Sequence, residues 1–220
     1  MGGEDPTQAR RQVMVARQLV ERGIGNPRVL DALRQVPRHL FVPDEYADRA
    51  YDDTPMPIGL GQTISQPYVV ALTLELLNPR QTDRVLDVGS GSGYQSALLS
   101  RLVAQVYAVE RLPELAQRAT EALRLIGASN VRIIVGDGTL GLPHEAPFDG
   151  IVCGAAAPAA PPAWLDQLAE GGRMVLPIGD ADIQTLTVIS RHGSSFDKRE
   201  VCPVRFVKLL GEQGWPIDEY

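Results

Sequence analysis

The segment Asp87-Val88-Gly89-Ser90-Gly91-Ser92-Gly93 sets an acid ahead of three alternating glycines, directly after the apolar pair Val85-Leu86. Glycines are needed where a strand turns sharply into a helix and a ligand presses on bare backbone, because a Cβ would collide with it. A dinucleotide loop follows G-x-G-x-x-G; here the third glycine comes one residue early and Tyr94 takes its place. Asp87 points the same way, since a carboxylate there repels a pyrophosphate and suits a cation or an amino group. Glu110 follows after 110 − 87 = 23 residues, at the end of the next apolar run, where an acid can accept both hydroxyls of a ribose. Asp137, inside Gly136-Asp137-Gly138, closes a third run, and its carboxylate can accept a hydrogen bond from an amino group. The three acids together describe a site for a cationic, phosphate-free ligand.

Other chemistries find little support. His39, His144 and His192 have no paired spacing, and no Ser-His-Asp set or metal cluster is discernible. Cys153 and Cys202 form no metal-type pair and read as reduced core thiols. The chain has 220 residues, 44% hydrophobic and 22% charged, enough for a sizeable core, which excludes disorder as its main state. With 21 basic and 27 acidic residues the balance is −6, and a pI near 5.1 offers no field for nucleic acid or anionic lipid. Gly150 to Leu165 is uncharged for 16 residues, but Pro158, Pro161 and Pro162 break any helix there, and a bilayer span needs ~20 residues. The start, Met1-Gly2-Gly3-Glu4-Asp5-Pro6, lacks both an apolar signal run and the Ser or Thr of a myristoylation motif. A soluble, cytoplasmic monomer is expected, with neither nucleic acid nor membrane as partner.

The elements that must position these residues can be read from periodicity. Thr7 to Arg22 spaces Val13, Met14, Leu19 and Val20 as one amphipathic helix stopped by Gly23, and Arg28 to Arg34 forms a second, ended by Pro37. Pro43 to Gly61 is dense in Pro, Asp and Gly and reads as a long irregular connection, often a functional one. After a helix over Val69 to Leu77, short apolar runs alternate with helices. Strands are expected at 84–88, 106–109, 131–135, 148–152 and 173–176, and helices at 94–102, 113–125 and 164–169. That alternation predicts an α/β sheet with parallel strands and helices on both faces. Gln184 to Ser190 and Val201 to Leu210, separated by a turn at 191–195, have no helix between them and should pair as an antiparallel hairpin at the sheet edge.

The D-x-G-x-G-x-G arrangement resembles the first motif of class I S-adenosylmethionine-dependent methyltransferases. That resemblance implies a Rossmann-like sheet, mostly parallel with an antiparallel C-terminal edge, here with an N-terminal helical extension. Pro57-Ile58-Gly59-Leu60-Gly61-Gln62-Thr63-Ile64-Ser65-Gln66-Pro67 and the turn Gly154-Ala155-Ala156-Ala157-Pro158 narrow it. With them the chain resembles the protein-L-isoaspartate O-methyltransferase family, from about Met14 to Trp215. The resemblance implies S-adenosylmethionine as methyl donor, S-adenosylhomocysteine as product and no metal. The implied acceptor is the free α-carboxyl of L-isoaspartyl, and less efficiently D-aspartyl, residues in damaged proteins. The ester then closes to a succinimide whose hydrolysis returns some normal aspartate. By the same resemblance Ser65 is the active-site serine, with Thr63 and Ile64 beside it in the substrate loop. Gln66, Tyr68, Ser92, Glu110, Asp137 and Gly138 match cofactor-contacting positions, joined by Asp87, Gly89, Ser90, Gly91 and Gly93. Residues 1–78 then carry the N-terminal helices and the active-site loop, and residues 79–220 the cofactor-binding core of the same domain.

Two positions depart from the family's usual pattern. Lys208 takes the place of a proline and reads as a solvated edge-strand charge, with attraction of an anionic substrate as the alternative, and Tyr68 stands where many relatives carry histidine.

The implied chemistry agrees with what the chain lacks. An α-carboxyl with a pKa of ~3.5 is ionised at neutral pH, so no strong base is needed to make the nucleophile. Catalysis must come from holding the carboxylate in line with the methyl carbon and from desolvating it, with Ser65 orienting it. The negative balance adds no steering, so the peptide is expected to be held by backbone and hydroxyl contacts. The competing readings are a class I methyltransferase with a small-molecule or RNA acceptor, and a non-catalytic scaffold that keeps the cofactor fold.

Overall fold

A computed structural model describes residues 7–217; the Met1 to Pro6 start and the last three residues lie outside the described residues. Thr7 to Gly23 is a single helical run of three kinds: α1 (Gln8–Val13), a π-helical stretch (Met14–Leu19) and a 3-10 turn (Val20–Arg22). It stops at Gly23, whose φ of +94° is the left-handed conformation that ends helices. Helix α2 (Pro27–Gln35) starts with proline at its first position, and the Asn26 side chain caps it by accepting from the N–H groups of Arg28 and Val29. Two 3-10 segments follow, Arg38–Phe41 and Asp44–Arg49.

The irregular connection expected over Pro43 to Gly61 is only partly irregular. Met56–Gly59 (β1) pairs with Gln62–Ile64 (β2) as an antiparallel hairpin. Its tip, Gly59-Leu60-Gly61, has φ values of +86°, +54° and +71°. The sequence signal is hidden because β1 contains a proline and shows only one buried-exposed alternation, Met56 and Ile58 inward. Helix α3 (Pro67–Leu77) follows and ends at Asn78.

The remaining elements are β3 (Arg84–Val88), α4 (Tyr94–Leu99), β4 (Gln105–Glu110), α5 (Pro113–Leu125), β5 (Val131–Val135), β6 (Phe148–Cys153), α6 (Pro162–Gln167), β7 (Leu168–Gly179), β8 (Gln184–His192) and β9 (Ser195–Val204). Seven of the strands form one sheet in the order β5-β4-β3-β6-β7-β8-β9, parallel through β7 and antiparallel for the last two. From β3 the chain runs outward through β4 and β5, then crosses to β6 on the other side. The strand order therefore reverses between β3 and β6, which is where open α/β sheets bind ligands, beyond their carboxyl ends.

Successive residues of the central strands point to opposite faces and build two cores. Val85, Val106, Val152 and Val175 face the layer that contains α2, α3 and α4, where Met14, Leu19, Leu33 and Leu74 are buried. Leu86, Tyr107, Ile151 and Met174 face the other side, around Phe148 and Trp164.

Two strand limits differ from expectation. β7 begins at Leu168 instead of Arg173, because Gly171-Gly172 forms an irregularity within the strand and does not precede it. β9 runs over Ser195–Val204 and not over 201–210. Its first six residues are exposed and mostly polar, so pairing with β8 defines this strand, not an apolar period. Phe206 to Leu210 leaves the sheet edge and crosses the carboxyl ends of the strands, where Lys208 bridges to Ala156. Lys208 is thus no edge-strand charge. Among the described residues no helix is long and apolar enough to cross a membrane.

Candidate active site

At the end of β3 the chain turns through Gly89, Gly91 and Gly93, with φ of +69°, +54° and +85°, conformations that favour glycine at all three. The N–H groups of Gly89 and Ser90 donate to the Val109 carbonyl of β4, and Gly154 N–H donates to the Val88 carbonyl. A Cβ on Gly154 would lie 2.7 Å from the Gly89 carbonyl oxygen, so the ends of β3 and β6 can approach this closely only with glycine there. Gly93 serves packing: a Cβ on it would meet the Ala119 Cβ of α5 at 3.0 Å.

The three acids have three different positions. Glu110 is 6% exposed and lines the cleft above the glycine loop, accepting from Gly91 N–H at 2.8 Å and Leu112 N–H at 2.9 Å. Asp87 is fully buried under the loop and does not line that cleft; it accepts from Gln95 Nε2 at 2.9 Å and Ser96 Oγ at 2.5 Å. Burial pushes its carboxyl up to about 6, with the Glu110 charge adding to the rise and the bonds from Ser96 and Gln95 opposing it. The Asp137 carboxylate is occupied within the protein, accepting from Thr139 N–H and Oγ1 and from Glu212 N–H. Its neighbour Gly138 lines the cleft and is held from behind by the Trp164 Nε1 donor at 2.9 Å.

The cleft spans about 610 Å³ when its open mouth is counted, and it brings a carboxylate and bare loop backbone to one space. Its floor is Val88, Gly89 and Gly91, and it is roofed by Gln62 and Thr63 of the hairpin and by Val207 to Leu210. Lys208 belongs to this roof, half-buried, its Nζ 5.1 Å from the centre of the Trp215 ring.

A second groove, about 690 Å³ when its open mouth is counted, lies beside it, lined by Thr63, Ser65, Gln66, Gly154, Arg205 and Val207, among others. Thr63, Gly154 and Val207 line both. A smaller recess between them is lined by Ile64, Ser65, Ser90, Gly91, Ser92 and Tyr94. Ile64 itself is 5% exposed and anchors the hairpin in the core. The hydroxyl of Ser90 is buried with no hydrogen-bond partner among the described residues, an orphaned polar atom on the wall of this recess.

Tyr68 lies apart from all three spaces. The Arg22 guanidinium covers its ring at 3.5 Å from the centroid, and its N–H donates to Asp53 Oδ1 at 3.0 Å. The structure therefore brings Thr63, Ser65, Gln66, Gly89, Ser90, Gly91, Ser92, Glu110 and Gly138 to contiguous cavities, and leaves the side chains of Tyr68, Asp87 and Asp137 outside them. Sequence reasoning did not single out Gln62, Gly154 or the Val207 to Leu210 crossing as site residues. Gly154 carried a signal, a glycine at the carboxyl end of a strand, and within the crossing only Lys208 did, as a departure from the family's proline. Among the described residues no group of three or more His, Cys, Asp or Glu side chains could hold a metal ion.

The residues present suit a nucleoside that carries both cationic and anionic groups, since Arg111 and Lys208 line the cleft beside Glu110. An acceptor-only carboxylate faces the cleft, a spare hydroxyl opens onto its inner end, and the backbone loop has no side chain to block approach.

The chain is similar to known proteins in sequence and in fold. A family model described as protein-L-isoaspartate(D-aspartate) O-methyltransferase matches residues 9–214. A protein-L-isoaspartate O-methyltransferase of Methanoregula boonei is 50% identical over 210 residues, 96% of this chain and 97% of the relative. A protein-L-isoaspartate O-methyltransferase 2 of Marinobacter nauticus is 50% identical over 216 residues, 97% and 98% of the two chains. Among solved structures, a protein-L-isoaspartate O-methyltransferase superposes with a TM-score of 0.83 at 27% identity, covering 93% of this chain and 67% of that one. A Plasmodium falciparum protein in complex with S-adenosyl-L-homocysteine superposes with a TM-score of 0.80 at 29% identity, covering 94% and 99%.

Proposed function

Because this chain belongs to the protein-L-isoaspartate(D-aspartate) O-methyltransferase family, we propose that it methylates the α-carboxyl of L-isoaspartyl residues, and of D-aspartyl residues, in damaged proteins. The observation that carries the reading is that the cleft over the glycine loop and the acceptor groove share the walls Thr63, Gly154 and Val207. A ligand in each would meet at the recess between Ser65 and the glycine loop.

Bound in the cleft, S-adenosylmethionine supplies an electrophilic methyl group on a sulfonium. Glu110 is the residue to hold ribose hydroxyls, because its oxygens face the cleft and have lone pairs beyond those used by Gly91 and Leu112. The loop from Gly89 to Ser92 receives the amino-acid end, with the Ser90 hydroxyl as a spare donor and Asp87 as the negative charge beneath. Gly138, backed by Asp137 and Trp164, borders the base. Gln66 borders the acceptor groove, and Tyr68 acts only through the start of α3.

On the acceptor side, Ser65 and Thr63 orient a carboxylate that is already ionised at neutral pH. No general base is required, and among the described residues no histidine lines the groove. The half-buried walls Ser65, Gln66 and Val207 take water from the acceptor oxygen, which strengthens its charge interactions with whatever it faces. The division of labour follows the chain: residues 1–78 supply the acceptor loop, and residues 79–220 the cofactor-binding core. The acidic balance supports a protein that acts on peptides as a cytoplasmic monomer, without nucleic acid.

The test is incubation with labelled S-adenosylmethionine and an isoaspartyl peptide, alongside the matched aspartyl peptide. Labelling of the isoaspartyl peptide alone is expected; equal labelling of both, or of neither, refutes the reading. Ser65→Ala should lower turnover sharply, to a residual rate that can still be measured, while still binding S-adenosylhomocysteine, which also separates an enzyme from a cofactor-binding scaffold.

A further inference from the structure

Arg38 is 0% exposed, yet no carboxylate contacts it among the described residues. Its Nε donates to the Ala50 carbonyl at 2.8 Å, and its Nη2 to the Ser65 carbonyl at 2.8 Å. The guanidinium lies over the Tyr94 ring, 4.7 Å from its centroid, while Phe41 packs on the same ring at 5.6 Å. Nη1 and the Tyr94 hydroxyl are both buried and meet no partner with good hydrogen-bond geometry among the described residues, although the two side chains are close enough for a polar contact with each other. Asp53 is near enough to be felt as a charge, but its carboxylate is committed to Arg22 and to Tyr68 N–H.

Such a group is a poor choice for stability alone. A buried cation without a paired anion carries a desolvation cost, and an apolar side chain of similar volume would fill the space more favourably. Its position is distinctive. Ser65 borders the acceptor groove, and Tyr94 is the first residue of α4 after the glycine loop. Elements 29 residues apart in sequence, 94 − 65, are thus gripped by one rigid planar fork. The Ser65 hydroxyl makes no hydrogen bond among the described residues, so its placement rests on the backbone that Arg38 holds.

We infer that Arg38 is a positioning residue for methyl transfer, setting the Ser65 hydroxyl against the glycine loop by bonding the Ser65 carbonyl while resting on Tyr94. The inference rests on the reading of Ser65 as the residue that orients the acceptor. Lysine at this position keeps the charge but cannot make two directed bonds and stack at once.

A double-mutant cycle tests it, with Arg38→Lys, Ser65→Ala and the double variant measured on an isoaspartyl peptide and titrated with S-adenosylhomocysteine. Arg38→Lys is expected to lower kcat by roughly thirtyfold, as misplacement of a reacting group does. KM and the Kd for S-adenosylhomocysteine should stay within about twofold, and in the Ser65→Ala background the further loss should be under about threefold. Equal losses in both backgrounds, or a loss that appears in cofactor affinity, overturn the inference and leave Arg38 a structural residue. Wild-type turnover in Ser65→Ala alone would instead overturn the role given to Ser65. If Arg38→Lys does not fold, Tyr94→Leu, which removes the ring beneath the guanidinium, enters the same cycle with the same expectation. Failure of both to fold also counts against the inference, because the guanidinium is then needed by the core itself.

Discussion

The carboxylate of Glu110, at the end of one strand, accepts a hydrogen bond from the backbone N–H of Gly91, in the loop after the neighbouring strand, at 2.8 Å. One side chain thus shapes the glycine loop and presents its remaining lone pairs to the cleft that the loop floors. Glu110→Gln puts an amide where two backbone donors need acceptors, and Gly91 or Leu112 then loses its bond. The loss of one such bond to a charged acceptor is about 1.5–3 kcal/mol. S-adenosylhomocysteine affinity measured by calorimetry should fall roughly ten- to hundredfold, with little change in secondary structure.

Gly154→Ala tests the approach of β3 and β6. The added methyl would sit 2.7 Å from the Gly89 carbonyl oxygen, a backbone atom that can move only with the loop. Overpacking of this kind costs about 1–3 kcal/mol. The midpoint of thermal unfolding should drop by several degrees, and cofactor affinity with it, whereas Gly25→Ala, at a glycine with open space around it and no left-handed backbone, should leave affinity unchanged.

Asp87 makes stability depend on pH with a definite sign. Its folded-state pKa is raised from 3.8 to about 6 by burial, so between these values the folded protein holds a proton that the unfolded chain releases. The contribution of this group to stability is therefore present at low pH and is lost as pH rises from about 4 to about 6. Asp87→Asn removes the titration. The difference in unfolding free energy, variant minus wild type, should grow across that window and level off above it, as urea titrations at a series of pH values would show.

Lys208 and Arg205 change the expectation about charge. Despite a balance of −6, among the described residues the two cavities are lined by Arg111, Lys208 and Arg205 against the single acid Glu110. Lys208→Ala and Arg205→Ala should each raise KM for an anionic isoaspartyl peptide by about two- to fivefold, and the double variant should show a weaker salt dependence of kcat/KM. Salt dependence identical to wild type in the double variant would show that the peptide does not sense these cations.

Local patterns alone determined the alternating strands and helices, the glycine loop, the three acids at strand ends and the Gln62 to Gln66 segment. Each is a short-range signal: a period, a turn requirement, or a residue type at a strand end. The hairpin of β1 and β2 and the polar strand β9 escaped because pairing with a neighbour, not an apolar period, defines them. The tertiary structure alone decided what each acid faces. Asp87 and Glu110 carry the same chemistry at comparable positions, yet one turns under the loop to Ser96 and Gln95 while the other looks into the cleft. It also brought Lys208 off the sheet edge onto the roof of the cleft and set Arg38 between Ser65 and Tyr94. Those placements depend on contacts between residues distant in the chain, and no local spacing encodes them.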